Sequence, residues 1–78
     1  MPRIFFYVIY PHTTVTDDEG HEFVELDAAI AEAETVLRER SAHAILEAGR
    51  SLPQAVSLRD EQGIVFHTVT LAEILGRE

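Results

Sequence analysis

Six residues able to do chemistry fall within one short stretch: His12, Asp17, Asp18, Glu19, His21 and Glu22. Imidazole and carboxylate together suit Zn²⁺ or Mn²⁺. His12, Asp17, His21 and Glu22 are the candidate ligands. Their spacing matches no established metal motif, and the alternating acids and distant Glu of an EF-hand loop are missing. The same acids are what a turn and a helix N-terminus want on their own account. Ser41, Ser51 and Ser57 have no Gly-x-Ser-x-Gly elbow around them, and there is no glycine-rich phosphate loop. No carboxylate sits in an apolar run that would raise its pKa for acid–base work. No catalytic residue and no cofactor is expected. A small metal-dependent or acid–base enzyme centred on this hairpin stands as the rival to a non-enzymatic reading.

The elements that must position these residues follow from periodicity. Arg3 to Tyr10 holds four of the six aromatic residues. As a strand it sends Ile4, Phe6, Val8 and Tyr10 to one face and Phe5, Tyr7 and Ile9 to the other. Both faces are apolar, and such a strand wants cover on both sides. Pro11 ends it. Thr13 to Thr16 reads as a second strand returning as a hairpin. Asp17-Asp18-Glu19-Gly20 is a turn, and His21 to Val24 runs extended. A helix begins near residues 25 to 28, with Glu25 or Asp27 as its cap. Leu26, Ile30, Ala33, Leu37, Ala44 and Ala48 keep to one face at helical spacing, with Ala29 and Val36 on its shoulder. Gly49 is the expected stop. Such a helix is about 34 Å long, against about 23 Å for a seven-residue strand. Its last two turns should overhang the sheet, carrying Ile45 and Leu46 off the main apolar face.

Gln54 to Arg59 and Ile64 to Val69 read as two further strands joined by Asp60-Glu61-Gln62-Gly63, which echoes the earlier Asp-x-x-Gly turn. If Asp60 pairs with Ile64, Leu58 faces Phe66 and Val56 faces Thr68. Val56, Leu58, Ile64 and Phe66 then meet the helix. Ala55, Ser57, Arg59, Val65, His67 and Val69 form the other face. On it, His67 is either a half-exposed strand residue or a pH-sensitive group in an interface. His43 falls mid-helix and should be solvated. Thr70-x-x-Glu73 has the form of a capping box, so a short helix over 71–75 follows, ended by Gly76.

Composition narrows the function classes. The chain has 78 residues, no cysteine and a formal net charge of −8. One domain, 1–78, is expected, with a small and marginal core. Disulfides and thiolate metal sites are excluded, which fits a reducing cytoplasm. All six basic residues are Arg, and eight acids fall between residues 17 and 34 with no base among them. A phosphate-binding surface needs clustered Lys or Arg, so neither nucleic acid nor anionic membrane is an expected partner. The N-terminal apolar run is too short for a signal peptide and far below the roughly 20 residues of a membrane span.

Met1-Pro2-Arg3 leading into Phe5-Phe6 is followed by Asp17-x-Glu19-Gly20. Next come Leu26, Ala28-Ala29 and Ala31-Glu32-Ala33, then Asp60-Glu61-x-Gly63 before an apolar strand. Taken together, the chain resembles a family of short bacterial proteins described only as a domain of unknown function. The family usually has a polar residue after the first strand's aromatic pair and an Asp at the helix cap. Tyr7, Ile9 and Glu25 stand at those places here. The resemblance implies a cytoplasmic setting and brings no activity, substrate or site.

The expected fold is α+β, ββαββ(α): a four-stranded, mainly antiparallel sheet, the first strand internal, with one long helix on one face and a short C-terminal helix. One helix leaves the other face uncovered. The expected function is a non-enzymatic oligomerising or protein-interaction module, with a homodimer favoured. Its interface residues would be Phe5, Tyr7, Ile9, Val65, His67 and Val69, with Ile45 and Leu46 beside them. An acidic adaptor that docks on a basic protein is the further alternative.

Overall fold

A computed structural model describes residues 3–47 and 50–76. The chain runs β1 (Arg3–Ile9), β2 (Thr14–Val15), β3 (His21–Glu22), α1 (Leu26–Leu46), β4 (Ala55–Arg59), β5 (Val65–Thr70) and α2 (Leu71–Leu75). This is an α+β fold, with five strands where four were expected. The sheet is antiparallel, in the order β2-β1-β4-β5, and β3 also pairs with β1. The first strand is internal, as its two apolar faces required.

The expected turn at residues 17–20 does not reverse the chain. Reversal happens earlier, where the Tyr10 N–H donates to the Thr13 carbonyl at 2.8 Å. From there the chain runs along one edge of β1, pairing Thr14 with Ile9 and Val15 with Val8, then His21 with Ile4 and Glu22 with Arg3. β2 and β3 are therefore two pieces of one interrupted strand. Five residues, 16–20, lie opposite the three residues 5–7, so two extra residues loop out between the pieces. The second Asp-x-x-Gly does reverse the chain. Gly63 N–H donates to the Asp60 carbonyl, and Asp60 N–H to the Ile64 carbonyl.

A bulge governs the other edge. Arg59 pairs with Val65, as the sequence suggested, but Leu58 pairs with His67 and Val56 with Val69, a register shift between Leu58 and Arg59. One extra residue in β5 sends every following side chain to the opposite face. The expected pairs Leu58–Phe66 and Val56–Thr68 are corrected accordingly. Val69 joins the core at 3% exposure, while Ile64 and Phe66 are exposed. His67 also shares the helix-side face, and Thr68 and Thr70 take the outer one.

The core lies between the sheet and α1. It contains Ile4, Phe6, Val8, Val56, Leu58 and Val69 from the strands, Ala29, Ala33 and Leu37 from α1, and Ile74 from α2. Phe23 packs beside Phe6 with ring centroids 5.7 Å apart. The buried stripe of α1 steps by four residues, Ala29, Ala33, Leu37 and Ser41, then Ala44, and its small members let the helix sit close to the sheet around Leu37. The helix is rolled from the expected face, so Ala29 is central, Ile30 and Val36 flank the core, and Leu26 is exposed. Glu25 is the N-cap residue and makes no side-chain capping bond. The expected Ala48 and Gly49 positions lie outside the described residues. α2 is capped as its sequence dictates. Thr70 Oγ1 accepts from the Glu73 N–H, and the Glu73 carboxylate accepts from the Thr70 N–H.

Candidate functional site

The outer face of the sheet, opposite α1, is the candidate site. β1 brings Phe5, Tyr7 and Ile9 to it, since Ile4, Phe6 and Val8 are turned into the core. β4 brings Ala55, Ser57 and Arg59, each opposite one of these. Val65 comes from β5, opposite Arg59. No helix is packed over this face among the described residues. Phe5, Tyr7 and Ile9 are nonetheless only half exposed, because neighbours on the same face cover one another.

Arg59 gives the face its polarity. Its guanidinium lies 4.0 Å from the centroid of the Tyr7 ring, and its Nε–H donates to Ser57 Oγ at 3.1 Å. Ser57 itself is buried. A guanidinium stacked on an aromatic ring is a cation–π contact, worth more as water is removed. Arg3, at the far margin, donates to the carbonyl oxygens of Glu19 and Gly20 and lies 3.6 Å from the Glu22 carboxylate. Gly20, at φ 68°, lets the loop close onto this margin, where a Cβ would stand 2.9 Å from the Phe5 ring and the Arg3 side chain.

Two expected interface residues, His67 and Val69, are not on this face, because the β5 bulge turns them to the helix side. Ile45 and Leu46 are not beside it either. They overhang at the end of α1, in the opposite layer, at 72% and 83% exposure. Leu46 borders an open groove of ≈ 980 Å³ between that overhang and the β1–β2 hairpin, with Tyr10, Val15, Arg40, His43 and Arg50. Arg59 lies on the face that strand alternation predicts for it but is not among the expected interface residues. Its signal was that placement, two residues after Ser57 on the strand that flanks Tyr7.

The acidic hairpin assembles differently from the candidate metal set. Asp17 Oδ1 accepts the N–H groups of Glu19 and Gly20, and Oδ2 accepts that of Phe6 at 3.1 Å. Partial burial pushes the Asp17 pKa up. The N–H donors of Gly20, Phe6 and Glu19, with the nearby charge of His21, outweigh this and hold it below the ordinary aspartate value. Glu22 sits with Arg3, and His12 and His21 are exposed. Among the described residues, no three His, Asp or Glu side chains come together as a metal site requires. No described helix is long and apolar enough to cross a membrane.

The class this geometry defines is a small two-layer α+β protein with one face of its sheet open. The model of a family described as a domain of unknown function, DUF6894, matches residues 3–72, and the chain belongs to that family. No curated protein and no solved structure matches it.

Proposed function

We propose that this chain is a non-enzymatic module of the bacterial cytoplasm that self-associates through the outer face of its sheet, as a two-fold dimer. The observation that carries the reading is a face bearing Phe5, Tyr7, Ile9 and Val65 with no layer packed over it among the described residues. Charge favours a second copy as the occupant. The chain carries −8, yet the strand residues of this face include Arg3 and Arg59 against one acid, Glu22. Here two acidic copies meet with the least repulsion.

The sheet edges support face-to-face association over strand addition. On one edge the Asp17 carboxylate occupies the Phe6 N–H between β2 and β3. On the other, the Glu73 carboxylate occupies the Thr70 N–H, and the bulge bends the start of β5. Bulges and occupied donors are the devices that keep edges from pairing.

Light scattering across concentration tests the reading, with a mass of twice the monomer expected at high micromolar concentration. Tyr7→Glu should return the mass to monomer while the far-UV circular dichroism is kept. A strict monomer for the unaltered chain would end the proposal.

A second reading, an acidic adaptor for a basic protein, draws on the exposed Asp18, Glu19, Glu25, Asp27 and Glu32, which make no ion pair among the described residues. A basic protein held this way should be retained at low salt and released at moderate salt.

A further inference from the structure

We infer that the cleft between the start of α1 and the β4–β5 turn takes one large apolar side chain from a lysine- or arginine-rich segment of a partner protein. The inference rests on the second reading above, the acidic adaptor, and gives it a site. The cleft has a volume of ≈ 190 Å³. A cavity of about 150 Å³ admits a benzene ring, so one Leu or Phe side chain fits. Ile4 and Phe23 form the floor. Ile4 is buried, and the Phe23 ring packs beside Phe6. The chain entering α1 supplies Val24 and Leu26 to the walls, and β5 supplies Phe66, at 81%, 48% and 42% exposure.

Backbone geometry keeps these groups out of the core. Phe66 is the residue that the bulge leaves without a partner on β4, since Arg59 pairs with Val65 and Leu58 with His67. The roll of α1 that centres Ala29 leaves Leu26 outside. Exposed apolar groups gathered around an apolar hollow mark a binding surface. The floor lies on the helix side of the sheet, so docking there leaves the outer face free.

Charge selects the occupant. Glu25 and Asp60 line the same cleft. Glu22, Asp27 and Glu61, each next in the chain to a lining residue, are exposed. The Asp60 carboxylate accepts the N–H groups of Gln62 and Ile64, which holds it in place. Glu25 and Asp27 outweigh the roughly half positive charge of the helix start. Arg3 at the rim is engaged by the carbonyl oxygens of Glu19 and Gly20 and faces Glu22. Arg59 lies over Tyr7 on the outer face. The field at the cleft is therefore negative. It draws in a cationic segment and repels a second copy of a chain that carries −8.

The test uses lysine-rich heptapeptides with Leu, Phe or Ala at the central position, titrated into the whole chain and followed by amide chemical shifts in NMR. The Leu and Phe peptides should shift Phe23, Val24, Leu26 and Phe66 and bind about tenfold more tightly than the Ala peptide. Phe66→Ala and Leu26→Ala, each checked by thermal melt, should remove that preference and leave the Ala peptide unchanged. Glu25→Gln should weaken all three alike. Equal binding whatever the central residue, or shifts confined to residues 17–22, overturns the cleft but leaves the acidic adaptor standing. Failure of every basic peptide to bind at low salt overturns both. A dimer of the unaltered chain that Phe66→Ala turns to monomer would put a second copy in the cleft, and overturns the inference as well.

Discussion

The Asp17 carboxylate accepts the Phe6 N–H at 3.1 Å, eleven residues away in the chain. That donor lies in the gap where the strand beside β1 is interrupted. One side chain thus completes the edge of the sheet and shapes the loop that leaves it. Asp17→Ala removes the acceptor for three N–H groups. Because the site is only partly buried, water will satisfy some of them, and a loss of about 1–2 kcal/mol in a urea melt is expected. Asp17→Asn keeps one carbonyl oxygen and should fall between. The pH dependence has a definite sign. The folded-state pKa is lowered, so the stabilisation is complete above the unfolded aspartate pKa and is lost as pH falls through the folded value, below about pH 4. Wild type should lose this increment on acidification, and Asp17→Asn should not.

The two turn glycines should respond unequally to alanine. Both have positive φ, 68° at Gly20 and 83° at Gly63. At Gly63 nothing among the described residues lies within 4 Å of an added Cβ, so the backbone conformation alone sets the cost, about 1 kcal/mol. At Gly20 the Cβ would meet Phe5 and Arg3 at 2.9 Å as well. Gly20→Ala should be the more destabilising by about 1 kcal/mol or more in thermal melts, and it should displace Phe5 on the outer face.

Ser41 is buried in α1, and its hydroxyl has no partner among the described residues. Ser41→Ala removes an unpaired polar group and improves helix propensity. A gain of about 1 kcal/mol in denaturant unfolding is expected.

Val65 and Val69 separate the observed register from an unbulged one. With the bulge, Val69→Ala should cost about 2 kcal/mol and Val65→Ala less than about 0.5 kcal/mol in the monomer. Equal costs would place both valines on the same face.

The layers were legible from the sequence because they depend on periodicity. The alternation from Ile4 to Val8 fixed the buried side of β1, and Thr70-x-x-Glu73 announced α2. Where the reading failed, the deciding contact was distant in sequence. The bulge beside Phe66 is set by how β5 meets β4 and α1, and no local signal marks it. Asp-x-x-Gly is the same string at 17–20 and 60–63, and both Asp carboxylates accept nearby N–H groups. At 60–63 the Asp60 carbonyl accepts the Gly63 N–H and the chain reverses, whereas at 17–20 the Gly20 N–H goes to the Asp17 carboxylate, whose other oxygen takes the Phe6 N–H. Leu26 looked like core by spacing, but Ala29 and Ala33 let the helix approach more closely.

The two irregularities of this sheet differ in parity. The loop at residues 16–20 adds an even number of residues, so Val15 and His21 resume on the same side of the sheet and Glu22 emerges beside Arg3. The bulge in β5 adds an odd number, so Val65 and His67 fall on opposite sides although they are two residues apart. Length changes should therefore be quantised. The loop should accept a two-residue insertion with the phase of β3 intact, whereas a single-residue insertion would exchange His21 and Glu22 between faces. In β5, deleting the one extra residue at the bulge would restore strict alternation and leave Val69 opposite Val56 in the core.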